Sequence, residues 1–182
     1  MAAASSARTV TRTMLAYVFW HWPVRETGYE EALVAFHRAL AGHPSEGFRG
    51  SRAARIGPRP WLGVPRAYED WYLVDDFAAL GALNDAAIAG PRTAAHRAVA
   101  ALPAGGTAAL YGLVSGDVAR PLHAAFRTKP PGVPYATYVS SLPGAVQVWQ
   151  RKMVLGPSPE FCILSEHPLE DSMPNEPIYP LD

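Results

Sequence analysis

Cysteine, net charge and long apolar runs are all scarce in this 182-residue sequence. The single cysteine, Cys162, leaves no internal disulfide and no multi-cysteine zinc site, and it favours a reducing compartment. Sixteen basic residues balance 16 acidic ones without a basic block, which argues against a nucleic-acid partner. The run at residues 14–22 is far shorter than the roughly 20 apolar residues of a membrane span. We therefore expect a cytoplasmic protein with neither a nucleic-acid nor a membrane partner.

Several sequence motifs of known chemistry are missing as well. The chain has no GxSxG, no glycine-rich phosphate loop and no Rossmann fingerprint, so neither a nucleophile elbow nor a nucleotide site is predicted. No two histidines have the HxH or i, i+4 spacing of a metal site, and we predict no metal. Cys162 lies in the apolar stretch PEFCIL beside Glu160, which predicts an inert core thiol.

The sequence does hold enough apolar material for a core, since 49% of its residues are hydrophobic and 10% are aromatic. We expect four segments along the chain. Residues 1–12 form a flexible N-terminal tail and residues 13–116 a folded domain. Residues 117–166 form an extension with a β-hairpin packed on that domain, and residues 167–182 a proline-rich tail or an arm.

Periodicity within residues 13–116 predicts alternating strands and helices. The strands are expected at residues 14–22, 47–56, 68–74 and 108–115, and the helices at residues 28–42 and from Asp76 to about Leu102, with an interruption at Gly90-Pro91. The order β-α-β-β-α-β is that of a ferredoxin-like α+β fold. Beyond it, a short helix is expected at residues 120–126, a strand at 135–140 and a hairpin at 145–155 and 160–165.

Alternation along the first and third strands predicts a pocket. Tyr17, Phe19 and His21 share one face of the first strand, and Tyr68, Asp70 and Tyr72 share one face of the third. A face rich in tyrosine suits an amphipathic aromatic ligand, because the rings stack and the hydroxyls orient. Imidazole exchanges protons near neutral pH, so His21 is the candidate acid or base and Asp70 the residue that orients it.

Each candidate residue also has a purely structural interpretation. His21 packs the sheet edge or an interface if it is not catalytic, and His37 on the first helix is expected to be a satisfied core histidine. Trp61 is either a lid over the pocket or a packing residue, and Trp149 on the hairpin either covers the pocket or the sheet. Arg49 is expected to hold a carboxylate or phenolate substrate, or else to be a solvated charge.

The aromatic first strand, the amphipathic helix and the segment Ala94-Ala95-His96-Arg97 resemble the dimeric α/β-barrel superfamily over about residues 14–116. This superfamily includes antibiotic-biosynthesis monooxygenases, EthD-like and NIPSNAP-like proteins and haem-degrading monooxygenases. The resemblance implies a homodimer in which two ferredoxin-like sheets close one barrel. His96 matches the haem-ligating histidine of the haem-degrading branch, but Ala86 stands where that branch has a tryptophan, and the first strand has no asparagine.

Three functions remain open at this point. The first is a small-molecule tailoring enzyme of monooxygenase, cyclase or isomerase type, which needs no tightly bound cofactor and acts on an aromatic or polyketide-like substrate in a barrel pocket. Its predicted catalytic residues are His21 and Asp70, and its predicted substrate-binding residues are Tyr17, Tyr68, Tyr72, Trp61, Arg49 and Trp149. The second is a haem protein with His96 as axial ligand. The third is a non-catalytic ligand-binding or stress-response barrel.

Overall fold

The computed structural model of the chain describes residues 14–117, 121–144 and 146–179. The predicted tail at residues 1–12 lies outside the described residues. The strands are β1 (Leu15–Pro23), β2 (Phe48–Ile56), β3 (Ala67–Val74), β4 (Pro103–Ser115), β5 (His123–Arg127), β6 (Gln147–Met153), β7 (Phe161–Ser165) and β8 (Met173–Tyr179). The helices are α1 (Tyr29–Gly42), α2 (Phe77–Ala87), α3 (Thr93–Ala100) and α4 (Tyr135–Ser140), with a 3₁₀ turn at Gly90–Arg92 before α3.

The first half of the chain has the predicted ferredoxin-like α+β arrangement. Its four strands lie in the order β4-β1-β3-β2 and all pair antiparallel. Local sequence explains the helix boundaries: the Asp76 side chain accepts a 2.9 Å hydrogen bond from the Ala79 backbone N–H and so caps α2. Gly90-Pro91 breaks the helical run there, because proline disfavours a helical residue before it.

The second half differs from the prediction in three elements. The segment expected as a helix forms β5, the segment expected as a strand forms α4, and part of the expected tail or arm forms β8. In β5, Ala124 and Phe126 pack with one cluster and Ala125 with another, which is strand alternation within a run too short for periodicity to decide. The β6–β7 hairpin is as predicted.

The eight strands close into one barrel in the order β1-β3-β2-β8-β5-β7-β6-β4, with β4 returning to β1. Strand β8 pairs with the free edge of β2, and β6 pairs with the free edge of β4. A single chain therefore covers both edges of its own ferredoxin-like sheet. This corrects the expectation that two copies form the barrel; a homodimer through another surface stays a prediction.

Aromatic side chains fill the inside of the barrel. Trp20, Trp71, Trp149 and Tyr111 are each at most 1% exposed, and they pack in one cluster with small residues from the surrounding strands. The buried carboxylate of Glu69 accepts hydrogen bonds from the Trp20 and Trp71 indoles at 2.7 and 2.8 Å. The interior is thus a packed core, as is usual for an eight-stranded barrel, and Glu69 pairs the indoles of Trp20 and Trp71 within it.

Helices α1, α2 and α3 cover the outer face of the first-half sheet. Leu33, Leu83 and Val99, one from each helix, belong to a single core cluster with Leu15 and Leu110 of the sheet. Strand β3 is buried along its whole length because its two faces meet the barrel core and the helices. None of the helices in the described part of the chain has the length and apolar content needed to cross a membrane.

Candidate functional site

A cavity of about 700 Å³ lies between the outer face of the first-half sheet and the three helices. The sequence predicts a pocket in the barrel, but the structure places the cavity on the helix side of the sheet, because tryptophans fill the barrel lumen. Six aromatic side chains line it: Tyr17, Phe19, Tyr29, Phe36, Tyr72 and Phe77. Met153 and Leu155 are exposed lining residues and so border its opening to solvent.

Three polar side chains on the cavity wall form a chain of contacts. The Nε2 atom of His21 lies 3.1 Å from Oδ2 of Asp70, and Nδ1 of His21 is hydrogen-bonded to the Tyr29 hydroxyl. His21 and Asp70 are each 1% exposed and Tyr29 is fully buried. The antiparallel register of β1 and β3 brings His21 opposite Tyr68, two residues from Asp70, so the predicted proximity of His21 and Asp70 is seen. Tyr29 comes from the first turn of α1.

A second histidine, His37, contacts the same carboxylate but does not line the cavity. The sequence predicts it as a core histidine, and it is fully buried on α1. Nε2 of His37 lies 3.5 Å from Asp70 Oδ2, and Nδ1 of His37 is 2.7 Å from the Ser51 hydroxyl oxygen. The Tyr72 hydroxyl donates to Asp70 Oδ2 at 2.9 Å. Tyr29 and His37 share the inner face of α1, and Ser51 is buried on β2. The helical periodicity of α1 indicates that Tyr29 and His37 share a face. Only the packing of α1 against the sheet brings both side chains to Asp70.

Asp70 sets the charge of the polar cluster, which consists of Asp70, His21, His37, Tyr29 and Tyr72. Burial raises the pKa of this carboxyl, but its electrostatic interactions with the imidazoles of His21 and His37 outweigh burial and hold the pKa well below its usual range. Burial, and then the nearby Asp70 charge, raise the pKa values of Tyr17, Tyr29 and Tyr72. The cluster thus combines an ionised carboxylate with protonated phenols. No group of three or more His, Cys, Asp or Glu side chains among the described residues is arranged to hold a metal ion.

Replacing Asp70 with asparagine is expected to lower the free energy of unfolding by about 2 to 4 kcal/mol at pH 7, since three buried neighbours lose their ionic acceptor. Because the pKa of folded Asp70 is lowered, its contribution is present above the unfolded-state pKa of about 3.9 and is lost as the pH falls towards the folded pKa. Urea unfolding of both proteins from pH 3 to 8 measures this. A difference that is constant at pH 5–8 and shrinks below about pH 4 is expected; one that grows on acidification contradicts it.

The other predicted substrate-binding residues fall into two groups. Tyr17 and Tyr72 line the cavity, and Tyr68 stacks on the His21 ring at 5.9 Å without lining the cavity. The Tyr68 hydroxyl donates to Glu30 at 2.9 Å; burial and this bond raise its pKa to about 12. The remaining three do not line the cavity: Trp149 is inside the barrel, Trp61 packs on Trp20 and Phe126, and Arg49 forms an exposed ion pair with Asp75.

His96, the candidate haem ligand, lines the cavity from α3. Its ring meets Phe36 edge to face, with 5.4 Å between ring centroids. Among the described residues, the charged side chains lining the cavity are Asp70 and Asp85, and none of the lining residues is an arginine or a lysine. The wall therefore offers an imidazole to a metal of a cofactor but no cation to the two propionates of a haem.

No protein-family model and no curated protein sequence matches this chain. The fold is similar to that of a suggested monooxygenase from Fusobacterium nucleatum subsp. nucleatum, with 11% identity, a TM-score of 0.58, and coverage of 85% of this chain and 75% of that one. A dimeric ferredoxin-like protein of unknown function from Bacteroides fragilis is 16% identical, with a TM-score of 0.38 over 54% of this chain and 94% of that one. A suggested chlorite dismutase is 10% identical, with a TM-score of 0.48 over 88% and 81%. The similarity to the first of these proteins is a likeness of fold, and it agrees with the fold that the resemblance noted in the sequence implies.

Proposed function

We propose that the protein is a small-molecule tailoring enzyme that performs acid/base chemistry on an aromatic or polyketide-like substrate in the cavity between sheet and helices. One observation carries the proposal: a buried Asp70–His21–Tyr29 chain lies on the wall of a cavity of about 700 Å³ with aromatic sides. Perturbed titratable groups in such a concave apolar site are typical of active sites. Monooxygenase, cyclase and isomerase reactions on such substrates share one step, the removal or delivery of a proton.

Proton transfer in this site follows from the order of the contacts. Ionised Asp70 faces Nε2 of His21, which favours the tautomer with the proton on Nε2 and leaves Nδ1 free to accept from Tyr29. Because burial and Asp70 raise the pKa of Tyr29, its phenolate is unfavourable. Tyr29 therefore takes a proton from the substrate only as it passes its own to His21. Asp70 then stabilises the imidazolium that forms.

The lining also indicates which substrates fit. The aromatic walls accept stacked rings, and the two charged lining residues, Asp70 and Asp85, repel organic anions. Oδ1 of Asp70 is buried and has no hydrogen-bond partner among the described residues, so a substrate hydroxyl that reached it would pair an otherwise unpaired acceptor. A neutral ring system with a hydroxyl group meets each of these conditions. Arg49 pairs with Asp75 outside the cavity lining, so it does not hold a carboxylate or phenolate substrate there.

Haem binding through His96 is the second candidate, because this imidazole faces the cavity beside Phe36. Haem would supply redox chemistry when bound, and His96 would hold its iron. None of the described lining residues is an arginine or a lysine, which weighs against haem, and the first proposal requires no cofactor. A non-catalytic ligand-binding barrel is the third candidate, which shares the cavity and differs in having no turnover.

The experiment uses the full chain with a defined set of compounds. 1-Naphthol, 1-naphthoate, anthrone and haemin are each added to the purified protein, and binding and product formation are followed by absorbance and mass spectrometry. We expect 1-naphthol to bind at least about tenfold tighter than 1-naphthoate, a difference of about 1.4 kcal/mol, and anthrone to be converted. Preferred binding of 1-naphthoate contradicts the proposal. Binding without any conversion favours the non-catalytic barrel, and a Soret band lost in H96A favours the haem protein.

A further inference from the structure

His37 occupies an unusual place, since it is fully buried and yet touches the cluster rather than the cavity. Its Nε2 is 3.5 Å from Asp70 Oδ2, and its Nδ1 is 2.7 Å from Ser51 Oγ. The ring therefore lies between a carboxylate and a hydroxyl, as the His21 ring lies between Asp70 and the Tyr29 hydroxyl. The two histidines form similar branches on one carboxylate oxygen, and only the His21 branch reaches the cavity.

The position of the His37 ring is fixed from both sides. It stacks on Tyr72 with 5.3 Å between centroids and 7° between planes, and on Tyr179 with 5.1 Å and 27°. Tyr179 is the last residue of β8 and pairs with Ala53 of β2. The C-terminal strand that completes the barrel on the β2 side thus also supports His37. Stacking between two rings leaves the imidazole little freedom to turn away from Asp70.

The electrostatic consequence concerns how Asp70 holds His21. Oδ2 of Asp70 faces His21, His37 and the Tyr72 hydroxyl at 3.1, 3.5 and 2.9 Å. These three side chains are the polar contacts of Asp70 within the described residues. The His37 contact at 3.5 Å is electrostatic and not a hydrogen bond, yet an N–H dipole at this distance still offsets part of the negative charge on the shared oxygen. Each polar group that faces this oxygen therefore weakens the attraction of Asp70 for a second proton on His21.

We infer that His37 is a positioning residue for His21. By sharing Oδ2, His37 keeps Asp70 ionised and keeps His21 neutral, with its proton on Nε2 and its Nδ1 open to the Tyr29 hydroxyl. With the His37 proton on Nε2, towards Asp70, Nδ1 of His37 accepts a hydrogen bond from the Ser51 hydroxyl, which stabilises this tautomer. The functional meaning of this arrangement rests on the proposed acid/base chemistry, whereas the protonation state of His21 does not.

The test compares two substitutions of His37 in the full-length protein. H37F keeps a ring between Tyr72 and Tyr179 but removes the donor, and H37Q supplies an amide N–H donor near the position of Nε2. Nitrogen NMR of ¹⁵N-histidine-labelled protein reports which ring nitrogens of His21 carry protons. In the wild type at pH 7 we expect Nε2 protonated and Nδ1 unprotonated. In H37F the ratio of protonated to unprotonated Nδ1 is expected to rise about tenfold, and H37Q is expected to reverse most of this rise.

S51A changes the structure less than H37F and tests the inference if H37F does not fold. S51A removes one hydroxyl and leaves His37 in place, and it is expected to change the His21 signal in the same direction by a smaller amount. The inference is overturned if His21 Nδ1 is protonated in the wild type, or if folded S51A and H37F leave the His21 signals unchanged. A protein without turnover whose His21 responds as expected supports the inference and removes only the proposed function.

Discussion

A chain lacking residues 144–182 is expected to be unfolded or insoluble. The deletion removes β6, β7 and β8, which pair with the edges of β4 and β2. It also exposes Trp20, Trp71 and Tyr111, which are buried at 1% or less. Full burial of one large apolar side chain is worth about 1.5 to 3 kcal/mol, so the loss approaches or exceeds the total stability of about 5 to 15 kcal/mol of an ordinary domain. Circular dichroism and the soluble yield measure the outcome.

Co-expression provides the control for this truncation. Residues 144–182 supplied as a separate chain are expected to restore soluble protein, since the missing strands then return to both sheet edges. A folded dimer of residues 1–143 alone, seen by light scattering at micromolar concentration, would show that a second copy can close the barrel and would contradict the expectation. W149A is a single-residue version of the test: it is expected to cost about 3 to 5 kcal/mol, whereas L155A at the exposed Leu155 is expected to cost little.

H21Q is expected to lower turnover by about 100-fold or more, the usual contribution of a positioned proton-transfer group. Glutamine retains an amide N–H that can donate to Asp70, but it cannot take the proton of Tyr29. The fold should therefore survive, with the thermal midpoint within a few degrees of the wild type. Turnover is measured on whichever compound the substrate screen identifies, and the thermal midpoint by circular dichroism.

Two comparisons separate catalysis from packing at this position. H123Q changes a histidine on β5, outside the cavity lining, and is expected to leave turnover unchanged. If His21 only packs, H21Q instead loses about 1 to 3 kcal/mol of stability, and activity falls only in proportion to the folded protein. Normal turnover per folded molecule in H21Q would remove His21 from the mechanism.

The elements of the first half were predictable because their signals are local. Strand β1 alternates side chains between two faces, and α1 repeats apolar residues along one side. Asp76 and Gly90-Pro91 mark helix boundaries through hydrogen bonding and sterics that involve only neighbouring residues. In the second half, β5 has five residues and α4 has six, too few for either period to be distinguished. Strand β8 has few buried side chains, so main-chain pairing with β2 and β5 defines it.

The candidate site, like the fold, was predictable only in part. The alternation of β1 and β3 placed Tyr17, His21, Asp70 and Tyr72 on one face, and these residues do line one cavity. The same alternation could not tell which face looks into the barrel and which meets the helices, since both faces are aromatic. Trp149 on the hairpin and Trp61 in the loop after β2 are predicted to cover the pocket or to pack, and the structure places them in and beside the barrel core.

Periodicity within the chain was enough to predict the ferredoxin-like order of the first half, and that order implies neighbouring first and third strands and so the proximity of His21 and Asp70. Tertiary structure alone decided that one chain closes the barrel, that tryptophans fill its interior, and that Tyr29 and His37 from α1 meet Asp70. Those contacts join segments distant in the chain, and their formation depends on which surfaces remain to be buried after the local elements have formed. No local pattern carries that information.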